Sequence, residues 1–370
     1  MKQMLFEERI SSLRNRLPEN DVDAIWIVQP ENRRYLSGFR ASDLQITESS
    51  GSLLITDDQC LLMTDSRYTE EATGEATGFD VRTYREGPVE GLIGLLAEGN
   101  PRRLGFEKDY VTWGLHQELE KRLRELSAPV RLVPLSGIVE DMREIKEETE
   151  TGALRASGKR LCAVMKGAIE FMRPGLTERE VAWKVEELTR EVGAEMPAFS
   201  PIVVSGPNSA LPHGVPTDRI LREGEPIILD LGVKLNGYCS DMTRTVFLGD
   251  PPAEFKEIYG VVRSAQAAAL EAILPGIEST FADKMARDII HEAGFGRFFG
   301  HGLGHGVGLA VHEGPRLAPR KPVTLKQGMV TTVEPGIYIP GKGGVRLEEM
   351  VLITNEGIEI LTPDPRVYKF

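Results

Sequence analysis

Apolar spacing divides the chain into two differently built stretches. In the first, short apolar runs at 24–28, 52–55 and 61–64 contain β-branched residues, are bounded by turn residues and predict strands. Residues 90–97 and 116–126 carry helical spacing. This mixture predicts an α/β domain over residues 1–138. A charged stretch, 140–150, is expected to be helical at the domain boundary, ahead of a long helix ending near Met172. The face of that helix is Leu161, Val164, Met165, Ala168 and Phe171.

From 139 to 370 the pattern repeats. A helix, Pro174-Gly175-Leu176 and a second helix come first, with Thr177 and Glu180 spaced as a capping box. Later a helix over about 254–274 precedes Pro275-Gly276-Ile277 and another helix ending near Gly294. A histidine loop follows in each half, with His213 in one and His301 and His305 in the other. A predicted β-hairpin with two acids then closes each half: Asp230 and Asp241, then Glu334 and Glu348. The Pro-Gly turns stand about 101 residues apart. Four features in the same order favour an α+β domain with an internal pseudo-two-fold over two unrelated helical units.

Composition narrows the partners. A chain of 370 residues, 41% hydrophobic and 27% charged, fits an ordinary two-domain globular protein. Its net charge of −12 argues against nucleic acid and anionic membranes. No apolar run approaches the roughly 18 residues of a membrane span, and residues 1–16 lack a signal-peptide core. Cys60, Cys162 and Cys239 form no CxxC pair. They read as small buried hydrophobes in a reducing cytoplasm.

The acids carry the chemistry. Asn236-Gly237 is the preferred turn of a two-residue hairpin. With that turn Gly232 faces Asp241, and Asp230 is its diagonal neighbour at roughly 7–8 Å between backbones. Asp230 sits among Ile227, Ile228, Leu229 and Leu231, where a lone carboxylate is costly. It must be protonated, paired with a base such as Arg244, or bound to metal. Three of the chain's six histidines, His301, His305 and His312, fall in a loop with glycine at alternate positions. No register of it gives GxGxxG or HExxH, which excludes a dinucleotide fingerprint and a thermolysin-type zinc site. Glu334 lies in another apolar run. Glu348 and Glu349 face opposite ways on any strand, so only one can face the site; the competing reading of the pair is a solvated edge. Arg346 shares the face of Glu348 and could neutralise a carboxylate there. Four carboxylates and one imidazole suit manganese, cobalt or zinc. They exceed the needs of one divalent ion and match two.

These segments resemble a known family. Asp230 and Asp241 at their spacing, HGLGH (301–305), VHEGPR (311–316), TVEPGIYI (332–339) and GGVRLEE (343–349) are similar to the pita-bread metallopeptidases. Among these, the Xaa-Pro peptidases, prolidase and aminopeptidase P, are the most similar. Asn32, Tyr35-Leu-Ser-Gly-Phe39 and Asp65-Ser-Arg-Tyr68 resemble the creatinase-type N-terminal domain. The resemblance implies two divalent ions, manganese first and cobalt or zinc next, on Asp230, Asp241, His305, Glu334 and Glu348. Asp241 and Glu348 would bridge the ions, and Glu334 would also move a proton. It implies that His213 steadies the scissile carbonyl, that His312 contacts substrate beside the proline and that His301 supports the ligands. Tyr338 and Arg346 would line the pocket, and Arg316 could bind a dipeptide's free carboxylate.

The expected reaction is cleavage before proline in peptides or dipeptides, by a homodimer. The complete ligand set argues against creatinase, which works without metal. Methionine aminopeptidase-like activity and a non-catalytic peptide-binding module are the competing readings, the first disfavoured by the extra N-terminal domain.

Overall fold

The computed structural model describes residues 2–363 apart from 44, 100, 127 and 128. Two compact units divide the chain, Met1–Met142 and Arg143–Phe370.

The first unit is built on a six-stranded sheet. Its strands are β1 (Ala24–Ile27), β2 (Ser52–Thr56), β3 (Cys60–Thr64), β4 (Asp80–Thr83), β5 (Arg103–Glu107) and β6 (Arg131–Leu135), in the order β4-β3-β2-β1-β5-β6. Only β2 runs against its neighbours. The helices are α1 (Lys2–Glu19), α2 (Pro30–Ser37), α3 (Thr69–Glu75), α4 (Pro88–Gly99), α5 (Trp113–Leu123) and α6 (Glu140–Arg143). One sheet face packs Trp26, Leu54 and Met63 against Leu92 and Leu96 of α4 and Leu119 of α5. At the end of β5, Glu107 accepts hydrogen bonds from Val28 N (2.6 Å), Gln29 N (2.8 Å) and Asn32 Nδ2 (2.6 Å). Those bonds fix the turn from β1 into α2. Burial still pushes the Glu107 carboxyl up to about 7, the hydrogen bonds only partly offsetting it.

The charged stretch 140–150 is not one helix. It stops at Arg143 and restarts with α7 (Glu148–Phe171). Between them Ile145 bridges Met329, and Lys146 N donates to Gly328 O at 2.8 Å. Lys146 Nζ also lies 2.7 Å from the buried Glu313 carboxylate. Strand pairing and a buried ion pair outweigh helix propensity, which is worth under about 1 kcal/mol per residue.

The second unit repeats itself. Its first half holds α7, α8 (Glu178–Glu191), β7 (Met196–Pro197), β8 (Ile202–Ser205), β9 (Pro226–Leu231), β10 (Val233–Leu235), β11 (Tyr238–Cys239) and β12 (Met242–Phe247). The other holds α9 (Ala253–Ala272), α10 (Ser279–Glu292), β13 (Gly304–Gly306), β14 (Glu313–Leu317), β15 (Val330–Val333), β16 (Gly336–Ile339), β17 (Gly343–Arg346), β18 (Glu349–Ile353) and β19 (Ile358–Ile360).

The repeat extends to single bonds. Gly175 and Gly276 have φ of 96° and 93°. Leu221 N donates to Leu176 O at 2.7 Å, and Leu325 N to Ile277 O at 2.8 Å. Thr177 bridges Ile220 as Glu278 bridges Thr324. The Thr177–Glu180 capping box forms as expected.

Both acid hairpins keep one register along their length. Asn236 and Gly237 take positive φ (51° and 81°) in the turn. Leu235 pairs Tyr238 there, and Leu231 still pairs Met242 beyond a gap at Gly232. In the other hairpin Ile339 pairs Gly343, Gly336 pairs Arg346, and Val333 pairs Glu349 beyond a gap that holds Glu334 and Glu348. Each gap interrupts the ladder beside acids.

Candidate metal centre

The gaps turn the acids toward one another. Glu348 N donates across to Thr243 O at 3.0 Å, joining the two hairpins, and Glu334 N donates to Leu303 O at 2.8 Å. Asp241, His305 and Glu348, all buried, each bring one ligand-type atom to within 4.8 Å of the others. His305 Nε2 lies 3.7 Å from Asp241 Oδ2 and 3.4 Å from Glu334 Oε1. Asp230 approaches from β9, beside Thr243. All five residues line a cavity of about 1090 Å³, together with His213, His301, His312, Arg316, Tyr338 and Arg346.

Spacing between backbones makes the His305 segment possible. β13 is sandwiched between β14 and β15. A Cβ on Gly304 would run into Thr332 O, one on Gly306 into Gly314 O, and one on Gly308 into the Glu313 carboxylate. The glycines at 304, 306 and 308 therefore answer to steric contact with neighbouring segments. His305 N donates to Thr332 Oγ1 at 3.1 Å. Its ring Nδ1 lies 3.0 Å from Gly306 O, which can only accept, so Nδ1 carries the proton. Nε2 then presents a lone pair toward the acids, the arrangement of a metal-binding imidazole.

That arrangement asks for a cation. A lone pair faces carboxylate oxygens that are also acceptors. Protonating His305 is no remedy, since burial holds its pKa down near 4. Asp230 Oδ1 and Asp241 Oδ1 are buried with no hydrogen-bond partner among the described residues. Burial, then the neighbouring acids, pushes Asp241 and Glu348 well above the usual carboxylate range, and burial pushes Glu334 up to about 7. Oxygen-rich donors with one imidazole fit a hard or borderline divalent ion. The residues fit the group.

Arg346 divides the acids. Its Nη2 donates to Asp230 Oδ2 at 2.6 Å, Nη1 to Tyr338 Oη at 3.0 Å and Pro212 O at 3.2 Å, and Nε to Thr243 Oγ1 at 3.1 Å. The carboxylate it neutralises is thus Asp230, on the other hairpin. Arg244 instead pairs with Glu349, so that acid is not solvated but turned away from the cavity into its own ion pair. The Tyr338 hydroxyl lies 2.9 Å from His301 Nε2, and His301 Nδ1 is 2.7 Å from Gly302 O. Nδ1 holds the proton, Nε2 accepts from Tyr338, and burial keeps His301 neutral with a pKa near 4. His213, His312 and Arg316 are exposed on the cavity side.

Two threonines were missed in the sequence. Thr243 Oγ1 donates to Glu348 Oε2 at 2.7 Å, and Thr332 Oγ1 to Glu334 Oε1 at 3.2 Å. Both lie two residues from an acid on the same strand path, so strand periodicity was the available signal.

Residues 152–355 match the description of metallopeptidase family M24. The chain belongs to that family. Residues 9–145 match the Creatinase/Prolidase N-terminal domain. This M24 chain is 37% identical to the Xaa-Pro dipeptidase of Pyrococcus furiosus, over 97% of its own length and 99% of the relative's. It superposes on the Xaa-Pro dipeptidase from Bacillus anthracis with a TM-score of 0.91 at 37% identity, covering 97% and 98% of the two chains. With the X-Pro aminopeptidase from Thermotoga maritima MSB8 the TM-score is 0.82 at 37% identity, covering 94% and 97%. No helix among the described residues is long and apolar enough to cross a membrane.

Proposed function

We propose that this M24 peptidase cleaves the peptide bond before proline, with two divalent ions held by Asp230, Asp241, His305, Glu334 and Glu348. The observation that carries the ligand assignment is the facing of His305 Nε2 onto Asp241 and Glu334, beside Asp230 Oδ1 and Asp241 Oδ1, buried oxygens without a hydrogen-bond partner among the described residues. The Xaa-Pro specificity follows the names of relatives similar over nearly the whole chain. Manganese is the first choice for a set of this kind, with cobalt or zinc as substitutes.

Bound there, divalent ions supply Lewis-acid polarisation of the carbonyl and a water acidic enough to attack near neutral pH. Glu334 takes the proton of the attacking water and delivers it to the imino nitrogen of proline. His213 donates to the carbonyl oxygen as it gains charge. His301 fixes the Tyr338 hydroxyl, and Arg346 holds Tyr338 and Asp230 in place. A tertiary amide offers no N–H to read. Selection of proline is therefore by shape, among Phe199, Ile202, Pro212, Val215 and Phe298 on the cavity wall, with His312 beside the ring.

Arg316, at the cavity edge, suits the free carboxylate of a dipeptide and favours the dipeptidase over the aminopeptidase form. Assay of a Xaa-Pro dipeptide beside a Xaa-Pro-Xaa tripeptide decides it: cleavage of the tripeptide alone rules out a strict dipeptidase. Metal analysis finding about two ions per chain supports the ligand assignment, and none overturns it. A homodimer in the cytoplasm completes the reading, in keeping with Cys60, Cys162 and Cys239 forming no disulfide with one another, and sedimentation as a monomer would count against the dimer.

A further inference from the structure

We infer that Glu178 is a positioning residue for His213, gathering both ends of the His213 loop onto one buried carboxylate. The inference rests on the proposed role of His213 at the substrate carbonyl. Glu178 opens α8 and is fully buried. Its Oε1 accepts from Ser205 N (2.7 Å) and Ser205 Oγ (2.9 Å), and its Oε2 from Thr217 N (3.0 Å) and Thr217 Oγ1 (2.7 Å). Asn208 Nδ2 lies 3.2 Å from both oxygens. The chain leaves β8 at Ser205, passes Asn208 and His213, and returns at Thr217 to the same side chain. His213 is exposed within this closed loop, so the way the loop is closed bears on where the imidazole stands.

Helix capping does not explain the residue. α8 is already capped by Thr177 and Glu180, with Thr177 Oγ1 accepting from Glu180 N at 3.1 Å and Glu180 Oε2 from Thr177 N at 2.7 Å. The same plan recurs in the repeat. Asp283, buried in α10, accepts from Leu303 N at 3.0 Å. It also pairs with Arg287, whose Nη groups donate to Phe299 O (3.1 Å) and His301 O (2.8 Å). In each half the second helix holds its own histidine loop through a buried acid.

Glu178→Gln is the informative change. Every partner of the Glu178 carboxylate donates to it, and a carboxamide must present its NH₂ to one end of the loop, where the backbone N–H of Ser205 or Thr217 then loses its acceptor and that end loosens. Expected is a fall in kcat/KM of roughly 10- to 100-fold, mostly in kcat, the cost of a small misplacement of a catalytic group. Metal content stays unchanged, and amide exchange quickens across 206–217 but not across 299–303. In a His213→Ala background Glu178→Gln costs less than about a further twofold, because both changes act through one group. Losses that multiply in the double variant, or unaltered exchange over 206–217, would overturn the proposal. If His213→Ala alone retains wild-type kcat/KM, the His213 reading fails instead, and exchange alone then decides whether Glu178 sets the loop. Should Glu178→Gln not fold, Thr217→Val removes one exposed donor, and the same exchange pattern is required of it.

Discussion

Arg346 is one buried cation among four acids, and its geometry decides which of them still needs a partner. Asp230 has one oxygen satisfied by the guanidinium, while Glu348 accepts from the neutral Thr243 hydroxyl. Removing such a cation strands buried charge, which typically costs about 3–5 kcal/mol. Arg346→Met should therefore lower the melting temperature as well as activity, and calorimetry would show it. Glu334→Gln keeps the shape of the side chain and removes its basicity. We expect turnover to be abolished while metal content stays substantial; an active, metal-loaded variant would sink the proton-transfer role. Glu107, in the first unit, offers a test by pH. Its folded-state pKa is raised from 4.5 to about 7. Its stabilising contribution is complete below about pH 4.5 and is lost as pH rises through 7. Urea titrations of metal-loaded protein should show stability falling over that window, and Glu107→Gln should flatten the slope. What could be read from single residues was their type: a carboxylate among isoleucines and leucines needs a partner. The choice of partner was hidden, because Arg346 and Asp230 lie 116 residues apart.

At the scale of elements, the Asn236-Gly237 turn was enough to set a register that runs through the gap at Gly232. Local turn chemistry acts over two residues, and a β ladder propagates it without further information. The glycine ladder of β13 was visible as a pattern while its cause was not, since the backbones it accommodates, at Thr332 and Gly314, belong to the strands on either side. Gly304→Ala would force β13 and β15 apart and move His305 with them. We expect loss of metal binding out of proportion to loss of fold, measured as metal content against far-UV circular dichroism. The expected helix over 140–150 failed for the same reason: Ile145 and Lys146 are claimed by Met329 and Gly328, which local composition does not encode.

For the whole molecule, the site belongs to neither half of the repeat. Asp230 and Asp241 come from one hairpin, and His305, Glu334 and Glu348 from the other half. A chelator leaves their carboxylates facing one another in a low-dielectric cavity. We expect it to lower the melting temperature, and manganese at 1,000 times its dissociation constant to restore about 4 kcal/mol. A melting temperature indifferent to chelator would count against resident ions. The hydrogen bond from Glu348 N to Thr243 O, which stitches the hairpins together, also has a kinetic consequence. Such a long-range contact comes late, because closing a loop of that length is unfavourable until much of the chain is in place. Ions that recognise only the stitched pair have nothing to grip in the folding transition state. They should leave the refolding limb of a chevron untouched and slow the unfolding limb, so that loading with metal lengthens the lifetime of the native protein without hastening its birth.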